Sequence, residues 1–184
     1  MRTRIAILSA LAFTGCDLTA TAEADQICIT EPTTQTFPGV DPPAGATVSL
    51  TVPTSILLDV SAAVPDLNER GVTSELIAQS ITLTTAEDVD LSGVASLGLT
   101  VTAEGRPPVA FTYEKPEGAV APIVSIAATP GTRVNLVDYL DGTRRVRISS
   151  VSLTGRPPAS AWTPILRTCA FMKVKVDYLE AAVR

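Results

Sequence analysis

VASLGLTVTAEGRPPVAFTY, residues Val94 to Tyr113, holds two runs of strict alternation separated by a turn rich in glycine and proline. In the first run Leu97, Leu99 and Val101 alternate with Gly98, Thr100 and Thr102; in the second Val109, Phe111 and Tyr113 alternate with Ala110 and Thr112. Side chains of an extended chain point to opposite faces with a period of two, so each run buries one face and leaves small or hydroxyl-bearing residues on the other. That is the pattern of half-buried antiparallel strands, and Gly105 to Pro108 between them supplies the turn.

The same period recurs on both sides of this stretch. Val48, Leu50 and Val52 alternate with Ser49 and Thr51, and Ile81 and Leu83 alternate with Thr82 and Thr84. Further strands are expected at Ser55 to Val60, Ile123 to Ala127, Arg145 to Leu153 and Phe171 to Tyr178. In the last of these Met172, Val174, Val176 and Tyr178 share one side, with Lys173, Lys175 and Asp177 on the other. Within Arg145 to Leu153 the apolar set changes phase, from Val146 and Ile148 to Val151 and Leu153, which requires one extra residue, a β-bulge at Ser149 or Ser150. Helix signals are few: Pro65 to Arg70 and Ser74 to Gln79 could each make about two turns, with no apolar stripe long enough for a core helix. Residues 31 to 46, EPTTQTFPGVDPPAGA, form a long extended loop. Eight or so short strands without a βαβ rhythm predict an all-β fold, an antiparallel β-sandwich of Greek-key or immunoglobulin-like type, with a closed barrel as the alternative. GRPP occurs twice, at Gly105 and at Gly155, an echo expected from chance recurrence of a turn sequence rather than from duplication of a strand pair.

Composition narrows the functions open to such a domain. The chain has 184 residues, 46% apolar, a net charge of -5 and no histidine, enough for one domain. The acidic balance argues against a nucleic-acid partner, which would require a basic footprint. Without histidine, Ser-His-Asp and Cys-His arrangements are impossible, and none of the three lysines lies in an SxxK motif. Lys115 falls in a turn, and Lys173 and Lys175 on an outward strand face. No cofactor-binding glycine loop is present. A carboxylate-based hydrolase could draw on Glu87, Asp88 and Asp90, but the sequence offers no sign of a cleft.

The first sixteen residues, MRTRIAILSALAFTGC, place two arginines before an apolar run from Ile5 to Phe13, followed by small residues. This is the layout of a secretory signal peptide, and the apolar run is about half of the ~20 residues a spanning helix needs. Phe13, Thr14, Gly15 and Cys16 resemble the lipobox of bacterial lipoproteins, apart from phenylalanine where leucine is usual. The resemblance covers these sixteen residues and implies that Cys16 receives a diacylglyceryl group and becomes the mature first residue. The implied organisation is a signal peptide over residues 1–15, a tether over 16–25 and one β-sandwich domain over 26–184. Residues Asp17 to Asp25, rich in alanine and threonine, read as that tether. The implied location is a bacterial cell envelope, with the domain held on a membrane through its lipid.

With Cys16 lipidated, Cys28 and Cys169 remain as an even pair in an exported protein, and a disulfide between them is the natural reading. Both lie next to alternating apolar runs, so both are expected to pack against the same core. No CxxC or imidazole set is available for zinc. Asp88, Asp90 and Ser92, in DVDLSG, imitate the opening of a calcium loop, but Leu99 stands where its bidentate glutamate belongs, and no metal is expected. Arg144, Arg145 and Arg147 are the basic cluster, and Arg145 and Arg147 project from one strand face, where an anionic headgroup or polysaccharide could dock, with a solvated outer face paired with nearby acids as the plainer reading. Trp162 is a possible ligand-facing ring, with a partly buried plug at a sheet end as the plainer reading. The function expected is non-catalytic, binding or supporting another envelope protein or a polysaccharide. The alternative is a carbohydrate- or calcium-dependent module, which would require Trp162, Tyr113 and Tyr139 to converge on one exposed face.

Overall fold

The computed structural model describes residues 19–61 and 71–178. Eight antiparallel strands follow one another: β1 Thr19–Pro32, β2 Val48–Asp59, β3 Val72–Thr85, β4 Val94–Thr102, β5 Val109–Glu114, β6 Ser125–Pro130, β7 Arg145–Gly155 and β8 Pro164–Asp177, with a 3-10 turn at Leu136–Tyr139 before β7. Their order in the sheet is β1-β8-β3-β6-β5-β4-β7-β2, left open between β1 and β2, so it is not a closed barrel.

The β5–β6 junction is the fold line. Only Phe111↔Pro130 and Thr112↔Thr129 pair there, so β1-β8-β3-β6 and β5-β4-β7-β2 act as two four-stranded leaves. Inward residues of both leaves meet in one core, among them Leu58, Leu97, Leu99, Phe111, Ile148 and Val151 from one side and Ile81, Leu83, Ile126 and Leu166 from the other. This is a β-sandwich with the double Greek-key order of a jelly roll, not the immunoglobulin order. Because neighbours are antiparallel, the start of β1 and the end of β8 share one end of the sandwich with the β2–β3, β4–β5 and β6–β7 connections. The other four connections lie at the opposite end. These are called the near and far ends below.

The phase change in β7 is a bulge at Ser149. Against β4, Thr100↔Ser150 is followed directly by Val101↔Ile148, so Ser149 is the residue without a partner. The burial pattern inverts at that point: Val146 and Ile148 are buried before it, and Val151 and Leu153 after it. Thr54 on β2 and Ser149 itself serve the disturbed ladder, the Thr54 hydroxyl donating to the Ile148 carbonyl at 2.7 Å and the Ser149 hydroxyl to the Thr100 carbonyl at 3.3 Å.

Several expectations are corrected. Ser74 to Gln79 is part of β3, not a helix: Leu76 and Ala78 face inward with a period of two, and Ser74 to Ala78 pair with Val174 to Ala170 of β8. Thr19 to Asp25 is the first half of β1, not a tether, because its alternating small residues sit opposite Asp177 to Met172. The sandwich therefore opens at Thr19 within the described residues, ahead of Gln26. Val48 to Val52 and Ser55 to Val60 merge into β2, where Pro53 is tolerated because β2 is an edge strand. The last strand starts at Pro164, well before Phe171. The two GRPP segments lie at opposite ends of the sandwich, one joining β4 to β5 and the other leading from β7 toward β8. Pro107 and Pro108 are exposed, whereas Pro157 and Pro158 are buried. Gly155 is also irreplaceable in a way Gly105 is not, since a Cβ there would lie 2.5 Å from the Gly93 carbonyl oxygen. The helix expected at Pro65 to Arg70, the signal peptide and Cys16 lie outside the described residues.

Cys28 and Cys169 are joined, directly opposite one another in the β1–β8 ladder. Their position differs from the expectation. Leu166, Thr168 and Ala170 form the inward set of β8, so Cys169 between them points to the outer face, and the bridge is no part of the inter-leaf core. It closes a separation of 141 residues, for which the chain-entropy relation gives about 5 kcal/mol. Replacing both cysteines by alanine is expected to lower the unfolding free energy by about 3–5 kcal/mol in urea melts. Denatured, unreduced Cys16→Ser protein should titrate no free thiol.

Candidate functional site

Arg145 and Arg147 open β7 at the near end, and they do line one recess there. It has a volume of about 550 Å³ and is walled by Thr102 to Glu104 and by Asp138 to Gly142 of the β6–β7 connection. The connection is shaped by its own polar groups. Asn135 caps the 3-10 turn, its Oδ1 accepting from the Val137 amide at 3.2 Å and from the Leu76 amide of β3 at 2.9 Å. Tyr139 is buried against the core and donates its hydroxyl to the Pro107 carbonyl at 3.1 Å, which ties the β4–β5 turn to the same wall.

Asp141 is the organising acid of the recess. Its Oδ1 accepts from the Thr143 hydroxyl at 2.6 Å, the Thr143 amide at 2.8 Å and the Arg145 amide at 3.0 Å. The Arg145 guanidinium lies 3.4 Å from Oδ2 and donates to the Thr143 hydroxyl at 2.6 Å. The Thr143 hydroxyl first, then the Arg145 amide, hold the Asp141 carboxyl down at about 2. Arg145 is thus committed to its own hairpin. Arg147 is exposed and has no carboxylate partner among the described residues. With Glu104, Asp138 and Asp141 beside the two arginines, the recess is a mixed-charge surface and not a simple anion pocket.

The other candidates serve the far-end loops. Asp90 accepts from the Ser92 amide and hydroxyl, both at 2.8 Å, and from the Ile123 amide at 2.9 Å, so it clamps the β3–β4 loop to the approach to β6. Those bonds, the Ser92 amide foremost, keep its carboxyl below the usual range. Glu87 accepts from the Thr163 amide at 3.0 Å and is lowered for that reason. Among the described residues no three acids or cysteines gather as a metal would require. The resolved carboxyl shifts, those of Asp59, Glu87, Asp90 and Asp141, all run downward, opposite to what a general acid needs. Lys115 donates to the Ser92 carbonyl at 2.7 Å, and Lys173 pairs with Glu23 at 3.0 Å on the outer face.

Trp162 is corrected from a ligand-facing ring to a core residue. It is 0% exposed, stacks edge-on against Phe37 with centroids 4.9 Å apart, and exchanges backbone hydrogen bonds with it. Its indole Nε1 meets no acceptor among the described residues. Tyr139 is buried at the near end and Tyr113 packs against the core from β5, so the three rings form no common exposed face. The sequence does not name the acids of the recess; the available signal is Asp141 two positions before Thr143, the spacing of an Asx turn.

No family model and no curated protein matches the chain. A solved structure, the crystal structure of the decameric BFDV capsid protein, is similar over 81% of this chain and 98% of that one, with 11% identity and a TM-score of 0.38.

The depressed Asp141 carboxyl has a pH consequence. Its stabilising contribution is complete above the unfolded aspartate value, near 4, and is lost as pH falls toward 2. Asp141→Asn is therefore expected to be less stable than the parent at pH 7, with the gap closing between pH 4 and pH 2 in parallel urea melts. A carboxyl NMR titration should place the Asp141 midpoint near 2.

Proposed function

We propose that this chain is a lipid-anchored protein of the bacterial envelope, whose sandwich binds or supports another envelope component without catalysis. The observation that carries the reading is the run Phe13, Thr14, Gly15 and Cys16 at the end of an export-type leader. Acyl chains on Cys16 contribute about 0.8 kcal/mol per buried methylene, so two or more hold a domain firmly on a bilayer. No helix among the described residues is long and apolar enough to cross a membrane. The non-catalytic part of the proposal is supported by how the polar candidates are used. Glu87, Asp90, Asp141 and Arg145 each hold a loop together rather than converging on a reactive centre. The partner class is another envelope protein or a polysaccharide, meeting the domain through exposed loops and sheet faces.

Membrane fractionation of cells expressing the full chain tests the anchor. The parent should pellet with membranes and carry acyl mass on the peptide that begins at Cys16, whereas Cys16→Ser should move to the soluble fraction. A Cys16→Ser protein that still pellets after a salt wash would falsify the lipid anchor.

A further inference from the structure

We infer that β1 is a releasable strap, plugged into the sandwich at its far end and clasped by the Cys28–Cys169 bridge, and that a dithiol which reduces the bridge frees it while the other strands stay folded. The inference goes beyond the function proposed above and holds with or without a lipid on Cys16. Its basis is how unevenly β1 is held. Among the described residues β1 has one strand neighbour, β8, and on its open side a recess of about 360 Å³ lies between residues 31–35 and residues 55–57 of β2. No described side chain of β1 is buried, and Ile29 packs against the core only in part. β2, the other edge strand, seats Thr54, Ile56 and Leu58 in the interior. Ordering an extended backbone costs about what its ladder hydrogen bonds return, so an edge strand without buried side chains depends on its fastenings.

Those fastenings are concentrated at two points. Past the end of β1 the Thr33 hydroxyl donates to the Pro164 carbonyl at 2.8 Å, and Phe37 is 0% exposed against Trp162. From that plug back to Thr19 the covalent tie is the bridge. The ladder itself is interrupted between Ala24 and Ile27, and the contacts Glu23–Lys173 and Gln26–Gln79 are exposed, where such contacts add little. The bridge is also within reach of a reductant. It lies on the outer face, with Cys28 half-buried and Cys169 5% exposed, so a thiolate meets the Cys28 sulfur first. Attack there forms a mixed disulfide and expels Cys169 as a thiolate, which takes a proton; the second thiol of the dithiol then displaces Cys28. The reductant leaves oxidised to a disulfide, and its protons and electron pair remain on Cys28 and Cys169 as thiols.

The Cα atoms of Cys28 and Cys169 are 4.1 Å apart, as in a non-hydrogen-bonded pair of a ladder, so the β8 amides that bond to β1 include those of Leu166 and Thr168, and those of Arg167 and Cys169 turn to β3. Residue-resolved amide hydrogen exchange on the full Cys16→Ser chain, before and after reduction by dithiothreitol, uses this alternation. Reduction should speed exchange at Ile27, Ile29, Leu166 and Thr168 by at least about tenfold, and leave Arg167, Cys169 and the strands β4 and β7 unchanged. Cys28→Ser combined with Cys169→Ser should show the same pattern without reductant. Unchanged exchange in β1, in protein whose thiol titration shows the bridge open, would overturn the strap, as would loss of protection in β4 and β7 together with β1. A bridge that dithiothreitol leaves closed in the folded protein would overturn the redox release.

Discussion

β8 lies between β1 and β3, and that placement ties the two ends of the chain into one ladder. Cys28 faces Cys169 across it, and the ladder continues on both sides of the bridge, from Thr19↔Asp177 to Pro32↔Ile165. The leaf β1-β8-β3-β6 is assembled from strands far apart in sequence, so its formation must meet a large loop-closure cost before any contact repays it. Once β8 is seated, the opposite leaf is held against it by one shared core and by the short β5–β6 fold line. The bridge sits on the outer face, where it constrains the ladder without taking volume from the core.

What could be read from the sequence follows from how locally each feature is specified. β4 and β5 alternate cleanly and are joined by a short turn, so periodicity alone places them. The bulge at Ser149 was legible for the same reason, because one extra residue must invert the burial of everything after it. The first halves of β1 and β3 were not legible. Thr19 to Ala24 contains alanines and threonines with no buried anchor, and Ser74 to Gln79 is mixed in propensity. Both become strands because β8 offers each of them an edge, a tertiary cause that propensity does not contain. Pairing also links two of the other register shifts, those in β1 and β3. Asp25 and Gln26 interrupt β1, Gln79 interrupts β3, and the side chains of Gln26 and Gln79 meet at 3.2 Å across β8.

The candidate site divides in the same way. Arg145 and Arg147 could be placed on one strand face from their spacing, but the acids that meet them come from a connection whose path the core dictates. The plainer reading of Trp162 as a plug is the one its burial favours, but its partner Phe37 is not legible, because it is far away in sequence and reaches the ring only through the long β1–β2 loop. Asp90 imitates a calcium-loop ligand in sequence, since an aspartate that staples amides carries the same local signature as one that binds a cation.

The two ends of the sandwich solve different problems with the same side-chain types. Proline-rich far-end loops lack the amides that would make a ladder, which leaves carbonyls and isolated N–H groups to be satisfied one at a time. Arg156 donates to the carbonyls of Pro42 and Pro43, Lys115 to that of Ser92, and Glu87 and Asp90 accept from Thr163 and Ile123. These four charges are bound to backbone, which fixes the loops' shape. At the near end charges bind one another instead, in Arg106–Asp138, Arg133–Glu75, Arg145–Asp141 and Lys173–Glu23. Those pairs are exposed, and each contributes little to stability. The same side-chain types thus do different work at the two ends, stapling backbone at one and pairing with one another at the other.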